Sequence, residues 1–257
     1  MISELVCVVC VPERPVACDE KPGKISDMFK ALFKNDQAMT VVVSIILVYI
    51  SLNICGNLVL YFFRFDVGNE GAYSIFAAVA FAAQVLVMMV IPLLRKRFSK
   101  SQLFISGFII QISGFAVILI MAFAKLYTPQ SWYILCLPGI LIYLGYGMLN
   151  VIMTIFLSDS VDYGEVMNGT REESVIFSMQ TFTVKLASGV AVFLAGLVVD
   201  WIHLDTAAAV QTQDTLDALR MWMTIPSVIL LIVGIFVFKR FYKLDDTRME
   251  EIKSKLN

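Results

Sequence analysis

The chain has 257 residues, of which 59% are hydrophobic and only 16% charged, with a formal net charge of −1 at neutral pH. Its mean hydropathy of +0.80 is too high for a soluble domain of this length. The balance of charge offers no basic surface for nucleic acid, and no nucleic-acid partner is expected.

The chain opens with Ile2-Ser3-Glu4-Leu5-Val6-Cys7-Val8-Val9-Cys10-Val11, too short an apolar run to span a bilayer. No basic residue precedes it and no small-residue cleavage site follows, so it reads as the cut end of a helix rather than a signal peptide. The Cys7 and Cys10 spacing matches a redox motif but lacks the strand and helix alternation such a site needs. After a linker with Pro12, Pro15 and Pro22, residues 24–36 place Ile25, Met28, Phe29, Leu32 and Phe33 at helical spacing among lysines. That pattern predicts an interfacial amphipathic helix; a merely solubilising flank is the alternative.

Six apolar stretches follow, at 38–63, 72–94, 102–124, 131–157, 174–202 and 219–238. A bilayer core about 30 Å thick needs roughly 20 apolar helical residues, and each stretch meets that length. Their apolar character is continuous rather than alternating, which predicts helices and not barrel strands. The expected fold is an all-α bundle of six transmembrane helices over 38–240, preceded by the cytoplasmic segment 1–37 and followed by a cytoplasmic tail, 241–257. In the tail, Met249, Ile252 and Leu256 form an apolar edge after Asp245 and Asp246.

Most of the twenty Lys and Arg residues fall on one side of the expected spans: before the first, at Arg95, Lys96, Arg97 and Lys100 after the second, at Arg171, and after the sixth. Arg64, Lys125 and Arg220 fall on the other. Basic residues are retained in the cytoplasm, so both termini are expected there in an integral multi-pass cell-membrane protein. Asn168-Gly169-Thr170 then lies inside and escapes glycosylation, and His203 lies at the outer interface. No metal-ligand cluster, phosphate loop or Ser/His/Asp set is present in the sequence, so neither an enzyme nor a bound cofactor is expected.

Polar groups inside the spans are costly in lipid and therefore informative. Ser174, Ser178, Thr181, Lys185 and Ser188 recur at three- and four-residue intervals, one stripe of a helix. Gln180 lies beside it, while Ala187, Ala191 and Ala195 form a small-residue stripe suited to close helix packing. Lys185 stands about eleven residues inside the fifth span, roughly 16 Å deep, where snorkelling is a poor route. No acid lies at comparable depth. Tyr49, Asn53, Asn57, Gln84, Gln111 and Asn150 can solvate its ammonium or bind a polar solute without neutralising it, so the counter-charge is expected on another polypeptide or a missing part of this one.

The segment 158–173 reads as a loop rich in acids: Asp159, Asp162, Glu165, Glu172 and Glu173 against Arg171 alone. Such a cluster can close a cytoplasmic gate by pairing with basic loops, or be only a solvated acidic loop.

Together, Asp159, Asp162-Tyr163-Gly164-Glu165, Arg171, Ser178, Gln180, Thr181 and Lys185 resemble the segment joining the tenth and eleventh helices of the glycoside, pentoside and hexuronide cation symporters, the melibiose-carrier family of the major facilitator superfamily. Lys34-Asn35-Asp36-Gln37 resembles the start of that family's seventh helix, residues 11–15 the end of its sixth, and residues 238–246 its C-terminal exit. The resemblance implies a sugar or glycoside symporter coupled to sodium, or to protons or lithium, that works by alternating access between two six-helix halves. It implies substrate and cation roles for Lys185, Gln180, Thr181 and Asn150, beside Tyr49, Asn53 and Asn57, whose four-residue spacing makes a second polar stripe in the first span, and a cytoplasmic gate at Asp159, Asp162, Glu165 and Arg171. The family's N-terminal six helices have no counterpart here, so an N-terminal half is the expected partner, with membrane lipid and a sugar. The competing expectation is a structural or regulatory membrane fragment that kept the fold and does not transport.

Overall fold

The computed structural model describes residues 35–168, 173–208, 210–244 and 246–256. Residues 24–34 of the expected interfacial helix, the Cys7 and Cys10 motif and Arg171 lie outside them, while Asn35 and Asp36 belong to the start of the first membrane helix. Among the described residues, six helices are long and apolar enough to cross a membrane. They are α1 (Asp36–Tyr61), extended by a π-helical turn at Phe62–Asp66; α2 (Ala72–Leu94); α3 (Lys100–Phe123); α4 (Cys136–Asn168), entered through a 3-10 turn at Trp132–Leu135; α5 (Glu173–Trp201); and α6 (Gln213–Phe241). A shorter helix, α7 (Asp246–Leu256), closes the chain.

The six helices interlace as two sets of three. The first helix of each set packs on the second and third of the other, so α1 lies against α5 and α6, and α4 against α2 and α3. α1 and α4 also touch each other at the centre, while α2 and α5 leave large apolar side chains such as Leu86, Met89, Phe182 and Phe193 exposed. Such faces are what a bilayer or further helices cover.

Glycine sets the closeness of the α3–α4 contact. A Cβ on Gly145 would stand 2.6 Å from the Gln111 backbone nitrogen and 2.6 Å from the Gly107 oxygen, and one on Gly114 would meet Ile142 at 2.7 Å. Small residues that let backbones meet substitute for a hydrophobic driving force between helices in lipid. At the end of the bundle where α1 begins, Phe104, Phe108, Phe156, Phe238 and Tyr242 stack in a cluster with centroids 4.4 to 5.1 Å apart, tying α3, α4 and α6 together.

Two expected boundaries move. The acidic segment after residue 157 is helical as far as Asn168, carrying α4 roughly three turns beyond its apolar stretch. It stays helical because its polar groups are engaged: the Asp159 carboxylate pairs with Lys100, and Asn35 Nδ2 donates to the Ser160 carbonyl at 2.8 Å. α6 likewise begins at Gln213, capped by the Thr212 side chain, which draws Arg220 into the helix. The tail helix does more than flank the membrane, since Leu244, Met249 and Ile252 bury themselves against Tyr163, Val166 and Tyr242.

A candidate polar face on α1, α4 and α5

On α1, Tyr49, Asn53 and Asn57 follow one another a turn apart and are half-buried. Asn53 Nδ2 donates to the Tyr49 carbonyl and Asn57 Nδ2 to the Asn53 carbonyl, each at 2.7 Å. Each amide thus has one of its two N–H donors engaged within the helix, and its oxygen remains available as an acceptor. From α4, Asn150 Nδ2 donates to Tyr49 Oη at 2.8 Å, and Tyr146 meets the Tyr49 ring edge-on at 5.6 Å. Tyr49 therefore joins the two central helices at the level of the candidate site.

α5 has three distinct sides. Ile176, Met179, Thr183, Ala187, Ala191 and Ala195 form the buried side against α1, as the small-residue stripe predicts. Phe182, Leu186, Val190 and Phe193 are exposed on a second, apolar side. The stripe of Ser174, Ser178, Thr181, Lys185 and Ser188 lies roughly opposite the buried side, given 3.6 residues per turn. Gln180 falls on the buried side instead and is not grouped with Lys185.

Two grooves lie along α5. One, of 460 Å³, is lined by Asn150, Thr154 and Ser158 of α4, Met88 of α2 and Phe177 of α5. The other, of 340 Å³, is lined by Asn57 and Tyr61 of α1 with Val192, Gly196, Val199 and Asp200 of α5. Thr181 donates to the Phe177 carbonyl at 3.3 Å, and Val192 and Gly196 continue the Lys185 side of the helix roughly two and three turns onward. Lys185 itself lines neither groove; Val192 and Gly196, which share its side of α5, line the second one beside Asn57. Lys185 is exposed and has no carboxylate partner among the described residues. Gln111 takes no part: it is wholly buried in the α3–α4 contact with both amide atoms unpartnered among the described residues.

At the end of the bundle where α1 begins, the acids expected in a gate loop sit on α4. Asp159 is buried and pairs with Lys100 at the start of α3, which also reaches Asp246 of α7 at 3.4 Å; Arg95 approaches the same Asp246 at 3.7 Å. Asp162 and Glu165 follow on the same helix, half-buried and engaged. Asn35 and Gln37 act as clasps that sequence reading missed. Asn35 caps α1 while holding Ser160, and a Cβ on Gly164 would stand 2.9 Å from its amide nitrogen. The Gln37 oxygen accepts from the Lys243 backbone at 2.8 Å.

At the opposite end lies a buried cluster that the sequence reading also missed. Asp66 accepts from Arg220 Nε at 2.7 Å and Nη2 at 2.5 Å and from Tyr127 Oη at 2.7 Å, while Arg220 Nη1 donates to Asp217 at 2.6 Å. Burial, then the Asp66 charge, holds the Tyr127 phenol well above its usual value. A lone Asp closing one apolar stretch and a lone Arg opening another was the only available signal.

Among the described residues the chain is a bundle of interlaced three-helix sets without strands, apolar outside and with a polar face across its two central helices, the architecture of an integral membrane protein. The family model described as MFS/sugar transport protein matches residues 7–246, and the chain belongs to that family of the major facilitator superfamily. It is similar to an uncharacterized symporter of Bacillus subtilis, 24% identical over 254 residues, which are 98% of this chain and 54% of that protein. The isoprimeverose transporter of Lactiplantibacillus pentosus is 25% identical over 228 residues, 88% of this chain and 46% of the relative. The raffinose carrier protein of Pediococcus pentosaceus is 23% identical over 234 residues, 90% and 35% respectively. The chain spans about half the length, or less, of these relatives.

Proposed function

We propose that the chain is the C-terminal half of a cation-coupled sugar or glycoside symporter, completed by an N-terminal six-helix half and working by alternating access. The observation that carries this reading is Lys185: a lysine deep in a membrane helix, on the side that bears polar groups, with no counter-charge among the described residues. An intramembrane ion of this kind is expensive unless paired or hydrated, and a carboxylate from a facing half would complete it. In this reading Asn150, Thr181, Tyr49, Asn53 and Asn57 present hydroxyl and amide groups to a sugar, and Lys185 couples its binding to a cation, sodium being the first choice over protons or lithium. Gln180 serves the α1–α5 packing. The Asp159 region, with Asp162, Glu165 and Arg171, forms the cytoplasmic gate, and both termini lie in the cytoplasm.

Counterflow of labelled disaccharide in proteoliposomes tests the proposal, with the chain alone and with a co-expressed N-terminal half. Sodium-stimulated counterflow only with both halves is the expected result, abolished by Lys185→Ala. No counterflow in either preparation would favour a structural or regulatory membrane protein.

A further inference from the structure

We propose that the groove between the start of α1 and the end of α6 binds an anionic phospholipid, with the phosphate held between Arg240 and Lys243 and the upper acyl chain lying on Met39, Val43, Val237 and Phe241. The groove has a volume of 580 Å³. It opens where one membrane helix begins and another ends, so its rim stands at headgroup level and its walls descend into the hydrocarbon. Basic pockets between helices at this level suit phosphate-bearing lipids.

The charges in the groove are arranged for such an occupant. Arg240 lies over the Phe241 ring, 5.8 Å from guanidinium carbon to centroid. Neither it nor Lys243 has a carboxylate partner among the described residues. Among the described residues Asp36 is the one carboxylate in the lining, and it accepts from Gln37 Nε2 at 2.8 Å. Gln37 also fixes the backbone that carries the cations, accepting from the Lys243 nitrogen at 2.8 Å and donating to the Phe241 carbonyl at 3.4 Å. α1 thus clasps the backbone that carries Lys243, while the two cations stay outside ion-pair distance of Asp36, the carboxylate that shares the groove. The apolar walls give a lipid tail a surface that a free phosphate ion would not use. α6 contributes nothing to the polar face around Lys185, so the groove is separate from the candidate transport site.

The test is native mass spectrometry of the purified full chain released from nanodiscs of phosphatidylglycerol mixed with phosphatidylcholine. Selective retention of phosphatidylglycerol is expected. Arg240→Gln with Lys243→Gln should weaken retention roughly 25-fold, about five-fold per cation removed, and Arg240→Lys with Lys243→Arg should restore it. Val43→Trp, which fills the groove without touching charge, should also expel the lipid while elution and helix content stay unchanged. The proposal is overturned by equal retention of both lipids, as a neutral lipid or the chain's own first residues filling the groove would give. An equal loss on Lys96→Gln with Arg97→Gln at the same end would also overturn it, as would displacement by millimolar inorganic phosphate alone.

Discussion

Arg220 grips Asp66 through two parallel hydrogen bonds, Nε to one carboxylate oxygen and Nη2 to the other, joining residues 154 positions apart in the chain. Both side chains are almost completely buried. Removing one member of such a pair strands the other charge, which costs far more than replacing both. Arg220→Met or Asp66→Leu alone is expected to lower unfolding stability in detergent by about 3–5 kcal/mol. The double variant should lose clearly less than the sum, and strict additivity in a thermal unfolding cycle would refute the coupling.

Tyr127 gives the same cluster a dependence on pH. Its phenol is held above the ordinary value by burial and by Asp66. A group that keeps its proton longer when folded contributes stability fully below its unfolded value, near 10, and loses it as pH rises beyond. The melting temperature of the wild-type chain should therefore fall as pH is raised from about 9 to 11. Tyr127→Phe should flatten part of that fall, and superimposable profiles would count against it.

The α3–α4 contact makes two glycines unequal. Gly145→Ala drives a methyl into backbone atoms at 2.6 Å and should cost about 1–3 kcal/mol. Gly56, with nothing within 4 Å of the built Cβ, should accept alanine with a gain of about 0.5–1 kcal/mol. Equal melting shifts for the two would show that the close approach is not limiting.

Gln111 sits in that contact with an unpartnered amide. A buried polar group without a partner costs about 1–3 kcal/mol, so Gln111→Met is expected to raise stability by about 1 kcal/mol. A loss of that size, read by thermal unfolding, would mean that the amide is engaged in the membrane.

The proposal of a facing half can be read on Lys185 directly. In a cysteine-free background, Lys185→Cys should react readily with a water-soluble maleimide in the chain alone. Labelling should be at least roughly ten-fold slower when the N-terminal half is present, because the site then lies in a closed interface and labelling tracks the open fraction. Phe193→Cys, on the apolar side of α5, should label poorly in either case. Unchanged labelling at Lys185 would remove the partner from the reading.

The spans were legible because length and unbroken apolarity suffice to specify membrane helices. The α1 stripe was legible because Tyr49, Asn53 and Asn57 share a strict four-residue interval, and the two sides of α5 because lysine and alanine stripes alternate on it. Three things were hidden. The helical state of residues 158–168 depends on Lys100 and Asn35, partners remote in sequence, so local composition pointed to a loop. The role of Gln111 is set by the glycine-lined contact around it, which only the fold brings together. The union of Asp66 with Arg220 arises because α1 ends where α6 begins, a fact of topology that neither residue announces.

The two asparagines of α1 bond back to their own helix, Asn53 to Tyr49 and Asn57 to Asn53. An amide that would otherwise resist leaving water enters the lipid with one of its two donors already bonded. The polar stripe of α1 thus costs less in hydrocarbon than two free amides would, with half of its donors bonded inside the helix that carries them.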